Sequence, residues 1–359
     1  MSDDGARRAA VVGTGLIGGS LGLALRAEGW WVTGSDIDPA RARRALELGA
    51  VDAVGEDPEA EVVFVATPAR AVAGVAHAAL AAARHPHVVV TDVAGVKTPV
   101  ARAVTHPRFV GGHPMAGSEQ AGVEGADAEL FVGATWVLTP TAATDPDAYA
   151  RLRPVLGALG ADVVTMPPEQ HDTMVAVVSH VPHLTAATLM NLADGLAAEH
   201  ATLLRLAAGG FRDMTRVAAG DPDIWPDVCA QNSEAIVAAL DALVEELTAM
   251  RGRVQRADRD QLLETLGRAT RARRSLPARA VRPERLAELR VPIADRPGSL
   301  HDVTTTAFDL QVNLFDFEIA HSAEGDRGVL VLVVDAGEAG KLHDALVAQG
   351  FRATTRSLG

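Results

Sequence analysis

Cysteine is almost absent. Cys229 is the only one in 359 residues, so the chain can form no internal disulfide and no cysteine-based metal cluster. Lysine is nearly as scarce: Lys97 and Lys341 are the only two, and arginine supplies the other basic residues. With the many alanines, this skew reads as codon usage of a GC-rich genome. Most arginines then carry no functional message, and a retained lysine is worth notice. A basic surface is also lacking, since the formal net charge is −13. That argues against nonspecific nucleic-acid binding, although a locally positive pocket can still hold a small anion. No uninterrupted apolar run is long enough to span a bilayer, and Met1-Ser2-Asp3-Asp4-Gly5 lacks the basic-then-apolar order of a signal peptide. The expectation is a soluble cytoplasmic protein with no membrane and no nucleic-acid partner.

What is present is a chain long enough for two or three domains, each with a core. Strand-like runs at Arg8–Val12, Trp31–Ser35, Glu61–Ala66, Val88–Thr91, near Phe109, Trp136–Leu138 and Val163–Thr165 alternate with helical patterns at Leu16–Ala27, Arg41–Leu48 and Ala69–Ala82. Such alternation implies a parallel, doubly wound α/β sheet of the Rossmann type over residues 1–166. Residues 167–276 are almost wholly helical in pattern, with apolar spacings of three and four from Asn232 to Met250. The Arg-, Ala- and Pro-rich stretch Arg271–Pro283 reads as a linker, placed at 277–285 between domains; a cationic binding patch is the alternative. Residues 286–359 then give β-α-β-β-α-β, the order of a small ferredoxin-like domain.

Gly13-Thr14-Gly15-Leu16-Ile17-Gly18 follows the first strand and opens the first helix. The glycines suit a tight turn, backbone approach to a pyrophosphate, and close helix–strand packing, with the pyrophosphate on the helix N-terminus. Asp36 ends the second strand about twenty residues on, where an acidic side chain accepts a hydrogen bond from the ribose of NAD. Its alternative is a turn or capping role ahead of Asp38-Pro39. Arg41 and Arg43 lie close enough to keep NADP open. Thr67 and Asp92, at the ends of later strands, are taken as further cofactor contacts.

The densest motif is Gly111-Gly112-His113-Pro114-Met115-Ala116-Gly117-Ser118-Glu119. Its glycines admit a ligand close to the backbone, and Pro114 argues for a fixed loop at a strand end. There His113 is a natural general base. Three other stretches stand out. Thr91-Asp92-Val93-Ala94-Gly95-Val96-Lys97 ends a strand. Ser179-His180-Val181-Pro182-His183 interrupts the helical region, and its histidines at i and i+3 could suit a metal, but no carboxylate completes a ligand set, so none is expected. Gly209-Gly210-Phe211-Arg212-Asp213-Met214-Thr215-Arg216 precedes Trp225 and offers arginines able to grip a carboxylate, or to form surface ion pairs.

Together these motifs, in this order over roughly three-quarters of the chain, resemble the prephenate dehydrogenase family of NAD(P)-dependent enzymes of tyrosine biosynthesis. The resemblance implies that His113 accepts the proton of the substrate's C4 hydroxyl and that Arg216 binds a substrate carboxylate. It implies that His183 contacts substrate with His180 beside it, and that Glu119 and Asp213 tune or gate the site. Gly209 and Ser118 join the substrate set, and Trp225 walls the pocket. The resemblance further implies that the substrate is prephenate or its amino counterpart arogenate, and that the helical domain pairs two copies as a homodimer. One departure stands out: Gly95 occupies a position usually held by serine, whose role would fall to water or Ser118. The C-terminal region, with Asp295-Arg296-Pro297-Gly298-Ser299-Leu300 at its first strand–helix junction, resembles an ACT domain. That implies an amino-acid ligand, expected to be tyrosine, at Asp295, Pro297, Gly298, Ser299 and Leu300. Two readings compete. One is a β-hydroxyacid dehydrogenase with Lys97 as its catalytic lysine, which His113 and Arg216 oppose. The other is an amino-acid sensor with a catalytically weak first domain.

Overall fold

The structure is a computed structural model that describes residues 6–117, 120, 122–197, 203–275, 286–294, 298–321 and 327–357. The chain divides into two compact units, Met1–Leu262 and Leu263–Gly359. The first opens with β1 (Arg8–Val12), α1 (Leu16–Ala27), β2 (Trp31–Ser35), α2 (Pro39–Glu47), β3 (Ala53–Val54), β4 (Val62–Val65) and α3 (Ala69–Ala82). It continues with β5 (Val89–Asp92), α4 (Thr98–Ala103), β6 (Phe109–Pro114), β7 (Thr135–Thr139), α5 (Pro146–Ala158) and β8 (Asp162–Thr165). All eight strands share one sheet, in the order β3-β2-β1-β4-β5-β6-β7-β8. Strand β4 shows why it is covered on both sides. Val62 and Phe64 enter one hydrophobic cluster, with Leu21, Trp136 and Leu152, while Val63 and Val65 enter the other, with Val72 and Val100.

The Rossmann-type sheet is as the sequence suggests, with two corrections. It is not wholly parallel, because β6 and β7 run antiparallel with His113 opposite Val137 and Pro114 opposite Trp136. A parallel pair needs a long crossover, usually a helix, and the β6–β7 connection has only a 3₁₀ turn at Val123–Gly125 among its described residues. Pro114 also ends a strand rather than sitting in a loop. Strand β6 pairs with β5 only through Phe109 and Val110, so the ladder on that edge has ended before Pro114 and the N–H that proline lacks is not required. Helices α4 and α5, unread in the sequence, begin at Thr98-Pro99 and Asp145-Pro146, with proline in the first turn where its missing N–H costs nothing.

The helical part follows: α6 (Pro168–Val175), a π turn (Ala176–His180), α7 (Val181–Ala197), α8 (Gly209–Thr215), α9 (Trp225–Gln231), α10 (Ser233–Gln255) and α11 (Arg259–Arg274), the last running from the first unit into the second. The two-histidine motif therefore does not interrupt the helix. Residues 168–197 run on continuously, and the widened turn before Pro182 absorbs its missing donor. By length and composition this helix could cross a membrane. Its His171, Asp172 and His180 are nevertheless buried in the protein. Helix α11 reaches Arg274, so the start of the Arg271–Pro283 stretch is helical rather than linker, as expected of good helix formers such as Arg and Ala. Residues 277–285 lie outside the described residues.

In the second unit β9 (Leu286–Ala294), α12 (Ser299–Asp309), β10 (Asp316–His321), β11 (Arg327–Asp335), α13 (Ala336–Ala348) and β12 (Thr354–Ser357) give the expected β-α-β-β-α-β order. The sheet is antiparallel, in the order β10-β11-β9-β12, over a core of Leu289, Val291, Val303, Leu330, Leu332 and Leu342.

Candidate active site

Parallel strands put the ends of β1, β2, β4 and β5 on one edge of the sheet, where ligands of such folds bind. The Gly13 loop is shaped by close contacts. Gly13 has φ +99°, and a Cβ there would stand 2.3 Å from Ala66 O; one on Gly18 would stand 1.8 Å from Gly13 O. A Cβ on Gly15 would meet nothing within 4 Å, which leaves the mouth of the loop open. Gly15 caps α1 without a side-chain hydrogen bond, so the helix presents bare N–H groups, with Leu16 and Ile17 in its first turn. Thr67, just after β4, has a buried Oγ1 with no partner. Asp36 Oδ2 accepts from Thr14 N at 2.8 Å, and Oδ1 accepts from Asp38 N at 3.0 Å. Oδ2 also accepts from Thr14 Oγ1 at 3.2 Å, and Oδ1 keeps a lone pair for a ribose hydroxyl. An open glycine cradle, free helix N–H groups, an orphaned hydroxyl and an anchored carboxylate fit a dinucleotide.

Beside this edge, in β6, His113 heads a chain of hydrogen bonds. Its Nδ1 lies 2.9 Å from His171 Nε2, and His171 Nδ1 lies 2.8 Å from Asp172 Oδ1. Asp172 also accepts from the backbone N–H groups of Lys97 and Thr98, each at 2.7 Å. Burial opposes its charge, but hydrogen bonds from His171, Thr98 and Lys97 prevail and hold its carboxyl below the usual value. An ionised carboxylate can only accept, so His171 donates through Nδ1. With His171 neutral, its Nε2 accepts from His113 Nδ1–H, and His113 Nε2 is left as a bare acceptor facing Gly95. Burial first, then the nearby His171 and Lys97, push His113 well below the ordinary imidazole value, which keeps it unprotonated.

His180 Nδ1 is 3.2 Å from Asn232 Nδ2, which donates to Asp172 O at 2.9 Å. Burial lowers His180 to about 4. Trp225 stacks on His183 with ring centroids 3.7 Å apart and makes a T-shaped contact with His180. The turn Arg216–Ala219 packs on α7, where a Cβ on Gly220 would stand 3.7 Å from His183 Cε1. His113, His180, His183, Trp225 and the Arg216 turn thus form one continuous region. Gly209 and Asp213 lie on exposed α8 next to it.

Two expected residues stand elsewhere. Asp92 does not face a cofactor: it is fully buried, with Oδ1 taken by Gly112 N and Oδ2 by Ala94 N and Lys97 Nζ. Lys97, the lysine of the β-hydroxyacid reading, is equally buried. Ser118 and Glu119 lie outside the described residues, as do Asp295 and Pro297. His171, Asp172 and Asn232 were not singled out in the sequence, where a His-Asp pair on a helix 58 residues from His113 gives no signal of its partner.

Fold and site together define a dinucleotide-binding oxidoreductase with a buried histidine chain beside the ligand-binding edge of its sheet. The family model described as "Prephenate dehydrogenase, nucleotide-binding domain" matches residues 21–165, and that described as "Prephenate dehydrogenase, dimerization domain" matches 167–268. The chain belongs to the prephenate dehydrogenase family. It is 33% identical over 333 residues to a prephenate dehydrogenase of Bacillus subtilis, covering 89% of this chain and 90% of that protein. Among solved structures it is similar to the A. aeolicus prephenate dehydrogenase in complex with hydroxyphenyl propionate and NAD+ (TM-score 0.71, 30% identity, 77% of this chain and 100% of that one). It is also similar to the Synechocystis arogenate dehydrogenase (TM-score 0.64, 33% identity, 74% of this chain and 98% of that one).

Proposed function

We propose that this chain converts prephenate to 4-hydroxyphenylpyruvate and CO2 with reduction of NAD. The observation that carries the reading is the Asp172–His171–His113 chain, which ends with His113 Nε2 at the ligand-binding edge of the sheet. NAD would be held by Gly13, Gly15, Leu16, Ile17, Gly18, Thr67 and Asp36 and would supply the hydride acceptor. His113 Nε2 takes the C4 hydroxyl proton as hydride leaves C4, and the ring carboxylate departs as CO2 while the ring becomes aromatic. Arg216 binds a substrate carboxylate, and His183, stacked on Trp225, lines the pocket beside it. Purified protein should form NADH with prephenate and NAD, with 4-hydroxyphenylpyruvate as product. NADH formed only with arogenate would reassign the substrate, and none with either would leave the sensor reading.

Two further parts belong to the proposal. The protein acts as a cytoplasmic homodimer, which the exposed Val237, Val244, Leu247 and Val254 of α10 support. The C-terminal unit acts as an ACT-type regulator that takes tyrosine at the start of α12. There Gly298, at φ +97°, caps the helix without a side-chain hydrogen bond ahead of Ser299 and Leu300. Gly298→Val in the full chain should abolish inhibition by tyrosine and spare kcat. Inhibition that persists and is purely competitive with prephenate would place tyrosine in the active site.

A further inference from the structure

We infer that the buried Lys97–Asp92 ion pair is a positioning device that fixes the His113 acceptor relative to the cleft. The inference rests on His113 being the acceptor, as proposed above. The pair grips both backbone groups of the preceding residue: Gly112 N donates to Asp92 Oδ1 at 3.1 Å, and Lys97 Nζ donates to Gly112 O at 2.7 Å. Nζ also bonds Asp92 Oδ2, and both side chains are completely buried. A Cβ on Gly112 would stand 2.8 Å from Asp92 O and 3.1 Å from Trp136 Nε1, so the glycine is what lets the pair come this close.

Lys97 reaches His113 a second time through its backbone. Its N–H, with that of Thr98, seats the Asp172 carboxylate that orients His171. One residue therefore holds the peptide ahead of the imidazole and the carboxylate behind it. Stability alone is a weak reason for such a pair, because a buried ion pair loses hydration and can often be replaced by apolar groups without loss. Being fully buried, Lys97 touches neither substrate nor cofactor, so it is a positioning residue. The charged and titratable groups around His113 are His171, His180, Asp172 and Lys97, with Asp92 behind Lys97.

The test is the full-length double variant Asp92→Asn/Lys97→Met, which removes both charges and keeps an acceptor for Gly112 N. Thermal unfolding, NAD titration, kinetics with prephenate and ¹⁵N-imidazole NMR are measured, the His113 resonances being assigned by their loss in His113→Asn. Tm should stay within about 5 °C of wild type, and the Kd of NAD within about twofold. The value of kcat should fall about 10²-fold, the cost of misplacing a reacting group by about an ångström, with KM for prephenate little changed. The His113 ¹⁵N shifts and their titration should move. Unchanged shifts, a kcat within about threefold of wild type, or losses of kcat, Tm and NAD affinity in step would overturn the inference. The NMR arm needs no turnover, so it still decides if prephenate proves not to be the substrate.

Discussion

A Cβ built on Gly95 would stand 3.8 Å from both Cε1 and Nε2 of His113 and would meet nothing else within 4 Å. Gly95 is not among the glycines of positive φ, so neither backbone nor crowding requires glycine there. What it leaves is room beside the acceptor nitrogen, where a water can bridge Nε2 and the substrate hydroxyl. Ordering such a water costs up to about 2 kcal/mol, which a built-in hydroxyl avoids. Gly95→Ser should therefore fold normally and raise kcat by up to about thirtyfold. Steady-state rates and Tm check this. A drop in kcat would mean that the substrate itself fills the space.

Asp172 sets the tautomer of the histidine chain. Asp172→Asn should lower kcat by about 10²-fold or more while KM for prephenate changes little, because the amide no longer enforces donation from His171. The pH profile carries its own sign. An acceptor must be unprotonated, and burial holds the ionisation of His113 well below 6.5. Wild-type kcat/KM should thus stay level as pH falls from neutral through 6.5, and decline only as pH passes through the lowered value. A decline centred at 6.5 would show an exposed, unperturbed imidazole.

The sequence was legible where chemistry is local. The Gly13 loop between β1 and α1 and the β-α-β-β-α-β tail need only neighbouring residues, and both stand as read. Pro114 misled because a proline signals a break only where its N–H is wanted, and the end of the β5–β6 ladder at Val110 was invisible. His171 and Asp172 were silent for a related reason: the fold brings α6 to β6, and no spacing records that approach. Asp92 was readable as a strand-end acid but not as the partner of Lys97. That pairing depends on which way two side chains turn, a matter of tertiary packing.

Asp36, just after β2, is anchored by Thr14 and is the residue on which the proposed preference for NAD rests. Asp36→Asn should narrow the preference for NAD over NADP, because it removes the charge that repels a 2′-phosphate. Kd values for both cofactors, measured by fluorescence titration, decide it. Wild-type protein that bound NADP more tightly would contradict the ribose assignment.

Arg216 begins the turn that packs on α7. Losing a charge-assisted hydrogen bond to a substrate carboxylate costs about 1.5–3 kcal/mol. Arg216→Ala should accordingly raise KM for prephenate about 10–100-fold and leave KM for NAD nearly unchanged. Equal damage to both constants would indicate a structural arginine.

The central claim is that His113 Nε2 is the proton acceptor, and the initial rate of NADH formation from saturating prephenate by His113→Asn tests it most directly. Asparagine keeps a polar group in β6 but cannot take the proton. The account predicts a kcat lower by about 10²–10⁴-fold, with unchanged NAD binding and an intact fold. A kcat close to that of wild type would contradict it.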